Sequence, residues 1–438
     1  MFKTVLPLSI VIALRFLGLF IVMPVLSIYA LKLEHSTEIL VGVAIGIYAI
    51  SQMAMQIPLG SLSDKIGRKQ VIIFGTFVFI AGSLICAFAT DIYSLLIGRF
   101  VQGMGAIGAV GTALITDLIS EERRTKAMAI MGATIALSFA FSMVLGPIIG
   151  GFFGVDKLFF LTAFLALLSL LLLIKVPNPP HIQSTTQEVK VKYKTILKDA
   201  NLFRMNITNF LQKALMTMAF LSIPLIMEKT FFWQKEELWR VYLPAMIFGL
   251  FAMFLAVRFG ELKNKSKEMI FIGIVLFLVA YVVMGYANSA FVFVAGVVIF
   301  FIGFNIHEPL MQSLASKYAK ANERGASLGV FNTFGYFGTF IGGIFGGFFM
   351  KYYGIMQISW GVFFLCIIWL GFILTLKNPA FRKNVYIDLK NVDFSRIDYL
   401  NGARGILEWY INKSENLLVV KYDSTATDDE MILSIVRA

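Results

Sequence analysis

The sequence predicts an all-α membrane protein: twelve transmembrane helices in two pseudo-symmetric six-helix bundles, followed by a small C-terminal α+β ferredoxin-like domain. Three observations predict it. Of 438 residues, 58% are hydrophobic and only 15% charged, with a mean hydropathy of +0.80, a balance foreign to water-soluble chains of this length. Between Lys3 and Lys377 the apolar residues fall into twelve stretches, with nearly every charge in the gaps. The longest polar interruption, Lys175 to Arg204, divides those stretches six and six.

In chain order the spans are expected at 6–31, 39–62, 70–89, 92–118, 127–153, 157–176, 205–228, 239–259, 268–286, 289–316, 326–350 and 355–376. One crossing needs roughly 20 residues. Met269–Ile306 carries no charge and is too long for one span, so it must be two helices, broken at Gly285-Tyr286-Ala287-Asn288-Ser289. No small-residue cleavage site follows the first apolar run, which reads as a retained helix. The domains are then 1–176, a linker over 177–204 with Pro177, Pro179 and Pro180, a second bundle over 205–378, and a tail domain over 382–438.

Lys and Arg set the orientation. The even-to-odd connections hold nineteen of them, whereas the opposite side holds six: Lys32, Lys157, Lys229, Lys235, Arg240 and Lys351. Both termini are therefore expected in the cytoplasm. The formal net charge of +12 is mostly this bias and does not imply a nucleic-acid partner. Cys86 and Cys366, the two cysteines, lie mid-helix in different halves and suggest neither a disulfide nor a metal site. No nucleotide-binding loop, Ser-His-Asp set or cofactor motif is present, so an ATPase or a hydrolase is disfavoured.

The halves echo each other, as expected of an internal repeat. Gly60-Ser-Leu62-Ser-Asp64 ends the second stretch and Gly260-Glu-Leu262-Lys-Asn264 ends the eighth. Gly146-Pro147-Ile-Ile-Gly150-Gly151 likewise matches Gly342-Gly343-Ile-Phe-Gly346-Gly347. In the tail, Val385–Leu389 alternates like a strand, Phe394–Gly402 is a candidate helix, and Leu407–Ile411 with Leu417–Tyr422 read as a hairpin. Thr427 is placed to cap a last helix, with Glu430 at the reciprocal position.

Four charges break the apolar rule: Arg15, Arg99, Lys213 and Glu308, in the first, fourth, seventh and tenth stretches. Ionisable groups at membrane depth face protein or water and are site candidates by default. At 1.5 Å per residue, Arg15, Lys213 and Glu308 lie about 12–14 Å in from the same helix ends. A carboxylate there pairs with a cation or takes up a proton when its surroundings become apolar. Glu308 is the first candidate for proton coupling and His307 a weaker one, because adjacent helical residues point about 100° apart. The competing reading is a permanent pair of Glu308 with Lys213 or Arg15. Tyr48, Gln52 and Gln56 form one polar stripe that either lines the pathway or bonds a neighbouring helix. Gly146 and Gly150 permit close helix packing, and Pro147 favours a bend. Gly60 allows close approach of the loop and Gly67 a positive backbone angle.

The run Gly60-x-Leu62-x-Asp64-Lys65-x-Gly67-Arg68-Lys69 resembles the helix 2–3 loop motif of the major facilitator superfamily, and the likeness covers all twelve helices in layout. Arg15-Phe-Leu-Gly through Pro24, Arg123-Arg-Thr-Lys-Ala-Met128, Phe304-Asn-Ile-His307-Glu308 and the tail bring the chain closest to the YajR-like transporters of the twelve-helix drug/proton antiporter family. The resemblance implies a monomeric carrier in the bacterial inner membrane. It would work by alternating access, exchange protons for a small molecule exported from the cytoplasm, and need no cofactor. It implies that Asp64 meets the start of helix 11 near Gly325-Ala326-Ser327 and that Arg68 pairs with Asp117, latching the outward-facing state. It also associates Arg99-x-x-Gln102-Gly103-x-Gly105 with proton transfer and Gly146-Pro147-x-x-Gly150 with antiport. Asn264 stands where the repeated motif would carry its aspartate, which puts a second latch in doubt. Two other readings stay open: a membrane sensor on a carrier scaffold, and a proton symporter or facilitator for uptake.

Overall fold

The computed structural model describes residues 2–119, 121–177, 193–319, 323–376, 382–412 and 416–436. Twelve helices are long and apolar enough to span a membrane: α1 (Val5–Leu31), α2 (Glu38–Ile66), α3 (Arg68–Ala87), α4 (Ile92–Leu118), α5 (Lys126–Phe153), α6 (Val155–Leu173), α7 (Ala200–Lys229), α8 (Lys235–Leu262), α9 (Ser266–Gly285), α10 (Ala290–Tyr318), α11 (Gly325–Tyr352) and α12 (Ile355–Leu374). The expected bounds differ from these by at most five residues. Most of the linker lies outside the described residues. Its basic amphipathic end forms a short helix, Tyr193–Lys198, and Asp199 then caps α7 through the amides of Asn201 and Leu202.

Three helices are interrupted. The helical run of α1 breaks at Val22, just before Pro24, whose ring removes a backbone donor and crowds the preceding turn. Gly105-Ala106-Ile107 separate the two segments of α4, Ile92–Met104 and Gly108–Leu118. A π-helical turn, Val257–Leu262, ends α8.

The halves repeat one packing plan. In the first, α1 lies on α5, α3 on α4 and α2 on α4; in the second, α7 lies on α11, α9 on α10 and α8 on α10. Since twelve crossings return the chain to its starting side, the bundle has a terminal end and a far end. The contacts that join the halves concentrate at the far end. There α2 and α11 touch backbone to backbone: a Cβ on Gly42 would lie 2.0 Å from the Gly343 carbonyl oxygen. Ion pairs Lys32–Glu228 (2.9 Å) and Lys229–Glu38 (3.3 Å) flank that seam.

The tail is a three-stranded sheet, β1 (Arg382–Asp388), β2 (Ile406–Asn412) and β3 (Leu417–Asp423), with a final helix α13 (Asp429–Val436). The order is β1-β3-β2, with β3 antiparallel to both neighbours. Ile387, Leu418, Val420 and Tyr422 pack there with Ile432 and Val436. A 3₁₀ segment, Phe394–Leu400, stands where an α-helix was expected. Asp428, not Thr427, caps α13: its Oδ1 accepts from the Met431 amide at 2.8 Å, while Thr427 is buried against Gly405. The tail docks on the bundle through Lys421, whose buried Nζ donates to the carbonyls of Lys317 (3.0 Å) and Ala319 (2.9 Å) at the C-terminal end of α10. A cation suits that position, where helix carbonyls lack partners.

Gly42→Val should wedge α2 from α11 and increase labelling, by a membrane-impermeant maleimide, of a cysteine introduced at Lys229. The native Cys86 and Cys366 are buried and keep the background low; unchanged labelling would show that the seam does not need the glycine. Lys421→Ala should leave the α10 carbonyls unmet and speed release of the tail in limited proteolysis, with the bundle intact.

Candidate functional site

Lys213 on α7 and Glu308 on α10 form an ion pair, with side chains 23% and 32% exposed. Their direction follows from helix geometry. Phe304 lies one turn before Glu308, and its ring meets that of Phe139, on α5 of the other half, at 5.8 Å. Lys213 Nζ sits 5.3 Å from the same Phe304 ring. The pair therefore occupies the face of the second half that looks at the first, within reach of solvent.

The other two charges do not join it. Arg15 is buried, and its guanidinium donates to the carbonyl of Gly105 and lies 4.8 Å from the Phe79 ring. The break in α4 frees that carbonyl, and Arg15 satisfies it. Arg99 is fully buried and donates to the Ala44 carbonyl at 3.3 Å and to Gln102 Oε1 at 2.8 Å. Gln102 passes the chain on to Ser83 Oγ at 2.8 Å. The Arg99–Gly105 segment thereby ties α4 to α2 and α3, and no carboxylate meets Arg99 among the described residues. Of the four charges at depth only Lys213 and Glu308 meet; backbone carbonyls and the Gln102 amide oxygen inside the first half claim both arginines.

His307 also turns from the cleft. It is fully buried, its Nε2 donates to the Ile270 carbonyl at 2.9 Å, and its ring packs on Phe277 and Trp369. Of the polar stripe on α2, Tyr48 lies under the Arg99 guanidinium at 5.1 Å. Gln52 donates to the Tyr336 hydroxyl at 3.1 Å, bridging α2 to α11 between the halves, and Gln56 is half-buried. Gly146 presses α5 onto α1 at its break: an added Cβ would come within 2.2 Å of the Ile21 carbonyl oxygen. Gly150 sits against Leu158, and Pro147 lies within an unbroken α5.

At the terminal end, Arg68 Nε donates to Asp117 at 2.8 Å, and its Nη1 reaches both Asp64 at 2.5 Å and the Ser63 hydroxyl at 2.6 Å. Gly67 turns the chain at φ 106°, a backbone angle that other residues rarely adopt; a Cβ on Gly60 would meet nothing within 4 Å, so the close approach expected there is not made in this structure. Asp64 is 60% exposed and bound to Arg68 within its own half, and no bond from it to the start of α11 is made among the described residues. The second half holds a pair that sequence reasoning missed, Lys317–Glu261 at 2.5 Å between α10 and the end of α8. The signal was present: Lys317 lies two hundred residues after Asp117, and Glu261 two hundred after Ser61. Tyr336 was missed as well, since nothing local marks one tyrosine on α11.

Lys317→Met and Glu261→Gln should each lower the midpoint of thermal unfolding in detergent. The double variant should recover part of the loss, with a coupling of about 1 kcal/mol for a pair this exposed; strict additivity would mean the two charges do not interact.

Comparison with known proteins adds the family. The Major Facilitator Superfamily model matches residues 8–343 and 241–385. The inner membrane transport protein YajR of Escherichia coli (strain K12) is 35% identical over 98% of this chain and 96% of its own length. The class B tetracycline resistance protein of Escherichia coli is 25% identical over 72% of this chain and 80% of its own. Among solved structures, a D-xylose–proton symporter superposes with a TM-score of 0.70 at 15% identity, covering 85% of this chain and 98% of that one, a likeness of fold. The chain belongs to the Major Facilitator Superfamily of membrane transporters and is not an enzyme.

Proposed function

We propose that this transporter exports a small molecule across the inner membrane in exchange for protons, by alternating access. The observation that carries the reading is the Lys213–Glu308 pair, solvent-reachable and facing the opposite half. Protonation of Glu308 would dissolve the pair and lower the desolvation penalty of closing the halves around it. Loss of that proton on the other side would restore the charge and favour reopening. With the terminal end cytoplasmic, as the Lys/Arg excess argues, the far-end contacts at Gly42–Gly343 and Lys229–Glu38 belong to a state open to the cytoplasm. Asp64, exposed and free of α11 here, is then poised to meet the start of α11 when the halves rock together. The tetracycline resistance relative supports the outward direction.

A thermal-shift screen of cations, sugars and amphiphiles would supply a cargo for reconstituted vesicles. With it, Glu308→Gln should abolish accumulation driven by an imposed pH gradient and preserve counterflow exchange. Driven transport at the wild-type rate would remove Glu308 from the coupling. Absence of counterflow in the wild-type protein, with a bound cargo, would instead favour a sensor whose tail domain reports occupancy.

A further inference from the structure

An apolar groove runs along the outer surface of the second half, between α7 and α12. It measures about 520 Å³. Phe203, Ile207 and Leu211 wall it on one side, Ile368 and Phe372 on the other, over the buried Trp369. Gly371 lies along it with no atom within 4 Å of where a Cβ would stand. The corresponding helices of the first half, α1 and α6, pack closely along their length. There α6 seats Thr162 on α1, with its hydroxyl donating to the Gly18 carbonyl at 2.7 Å.

Two cations bind the last residues of α12, where Thr375 closes the groove's terminal end. Arg204 Nε donates to Thr375 Oγ1 at 2.8 Å, with the guanidinium 5.8 Å from the Phe372 ring centroid. Lys267 Nζ donates to the Leu374 carbonyl at 2.7 Å. Both hold neutral atoms of adjacent residues at the end of α12, and neither pairs with a carboxylate among the described residues. A guanidinium has five N–H donors and an ammonium three, so each cation keeps donors for an anion. The walls run from 203 to 211 on α7 and from 365 to 375 on α12, about 12–15 Å at 1.5 Å per residue. That is about half of the roughly 30 Å hydrocarbon core, the depth of one leaflet.

We infer that this groove holds an acyl chain of an anionic phospholipid, with the lipid phosphate bound by Arg204 and Lys267. Apolar walls disfavour a polar ligand along the groove, and the two cations on the last residues of α12, without a carboxylate partner among the described residues, favour an acidic headgroup over a zwitterionic one. Occupancy would fill the space between α7 and α12, and α7 also carries Lys213.

The test uses the full chain in detergent. Bound lipid is counted by native mass spectrometry, and thermal unfolding is followed with added phosphatidylglycerol, phosphatidylcholine or inorganic phosphate. Phosphatidylglycerol should be retained and raise the unfolding midpoint; phosphatidylcholine should do so weakly and inorganic phosphate not at all. Replacing both cations (Arg204→Gln with Lys267→Gln) should lower phosphatidylglycerol retention about tenfold or more. Gly371→Phe, on the exposed face of α12, should fill the groove and reduce retention with both cations in place. Equal retention of the two lipids by the wild-type protein, or undiminished retention by both variants, would overturn the inference. A midpoint shift reproduced by inorganic phosphate alone would mark a free-anion site and overturn it equally.

Discussion

An ionised side chain within an apolar bundle must find its hydrogen-bond partners inside the protein or keep contact with water, because an uncompensated buried charge costs several kcal/mol. The four charges at membrane depth meet this constraint in two ways. Arg15 and Arg99 take carbonyl and amide oxygens of the first half and meet no carboxylate among the described residues. Lys213 and Glu308 take each other and stay partly wet. Only the second is an ion pair within reach of solvent. The break in α4 belongs to the same economy: it supplies the Gly105 carbonyl that Arg15 needs, and Arg15 keeps the break satisfied.

The duplicated plan has diverged in what each half does. The first is tied by side-chain bonds running from Arg99 through Gln102 to Ser83 and by Thr162 on Gly18. The second presents the labile pair to the cleft, parts α7 from α12 on its outer surface, and carries the tail on the end of α10. Charge is inverted at the equivalent terminal-end sites: an acid, Asp117, ends α4 in one half and a base, Lys317, lies near the end of α10 in the other. Each has an opposite charge from a neighbouring segment. Lys421 binds the carbonyl of that same Lys317, so the tail rests directly on the charged corner of the second half.

Much of this was legible beforehand. The helix 2–3 segment contained the ingredients of the Arg68 cluster in one short run, and Asp117 was the acid at the right end of α4. Other elements were not legible, each for a definite reason. Thr427 and Asp428 are both good caps, and burial of the first against Gly405 decided between them. Phe394–Leu400, capped by Asp393, winds as a 3₁₀ segment, and the apolar spacing of seven residues does not distinguish that from an α-helix. Gln52 could equally have lined a pathway or bonded a helix; the position of Tyr336, almost three hundred residues away, assigned the bond.

What the chain determined by itself is whatever depends on order along one dimension: twelve spans, their lengths against the hydrocarbon thickness, the two-fold repeat, the separate tail, and which charges lie at depth. What only the tertiary structure decided is direction. Arg15, Lys213 and Glu308 lie at similar depths, yet the rotation of each helix about its axis and the carbonyls exposed where a helix breaks sent one into a dry contact and joined the other two. Depth is a sum of residue rises, readable from a sequence. Facing depends on how helices rotate and pack against one another, and no local pattern encodes it.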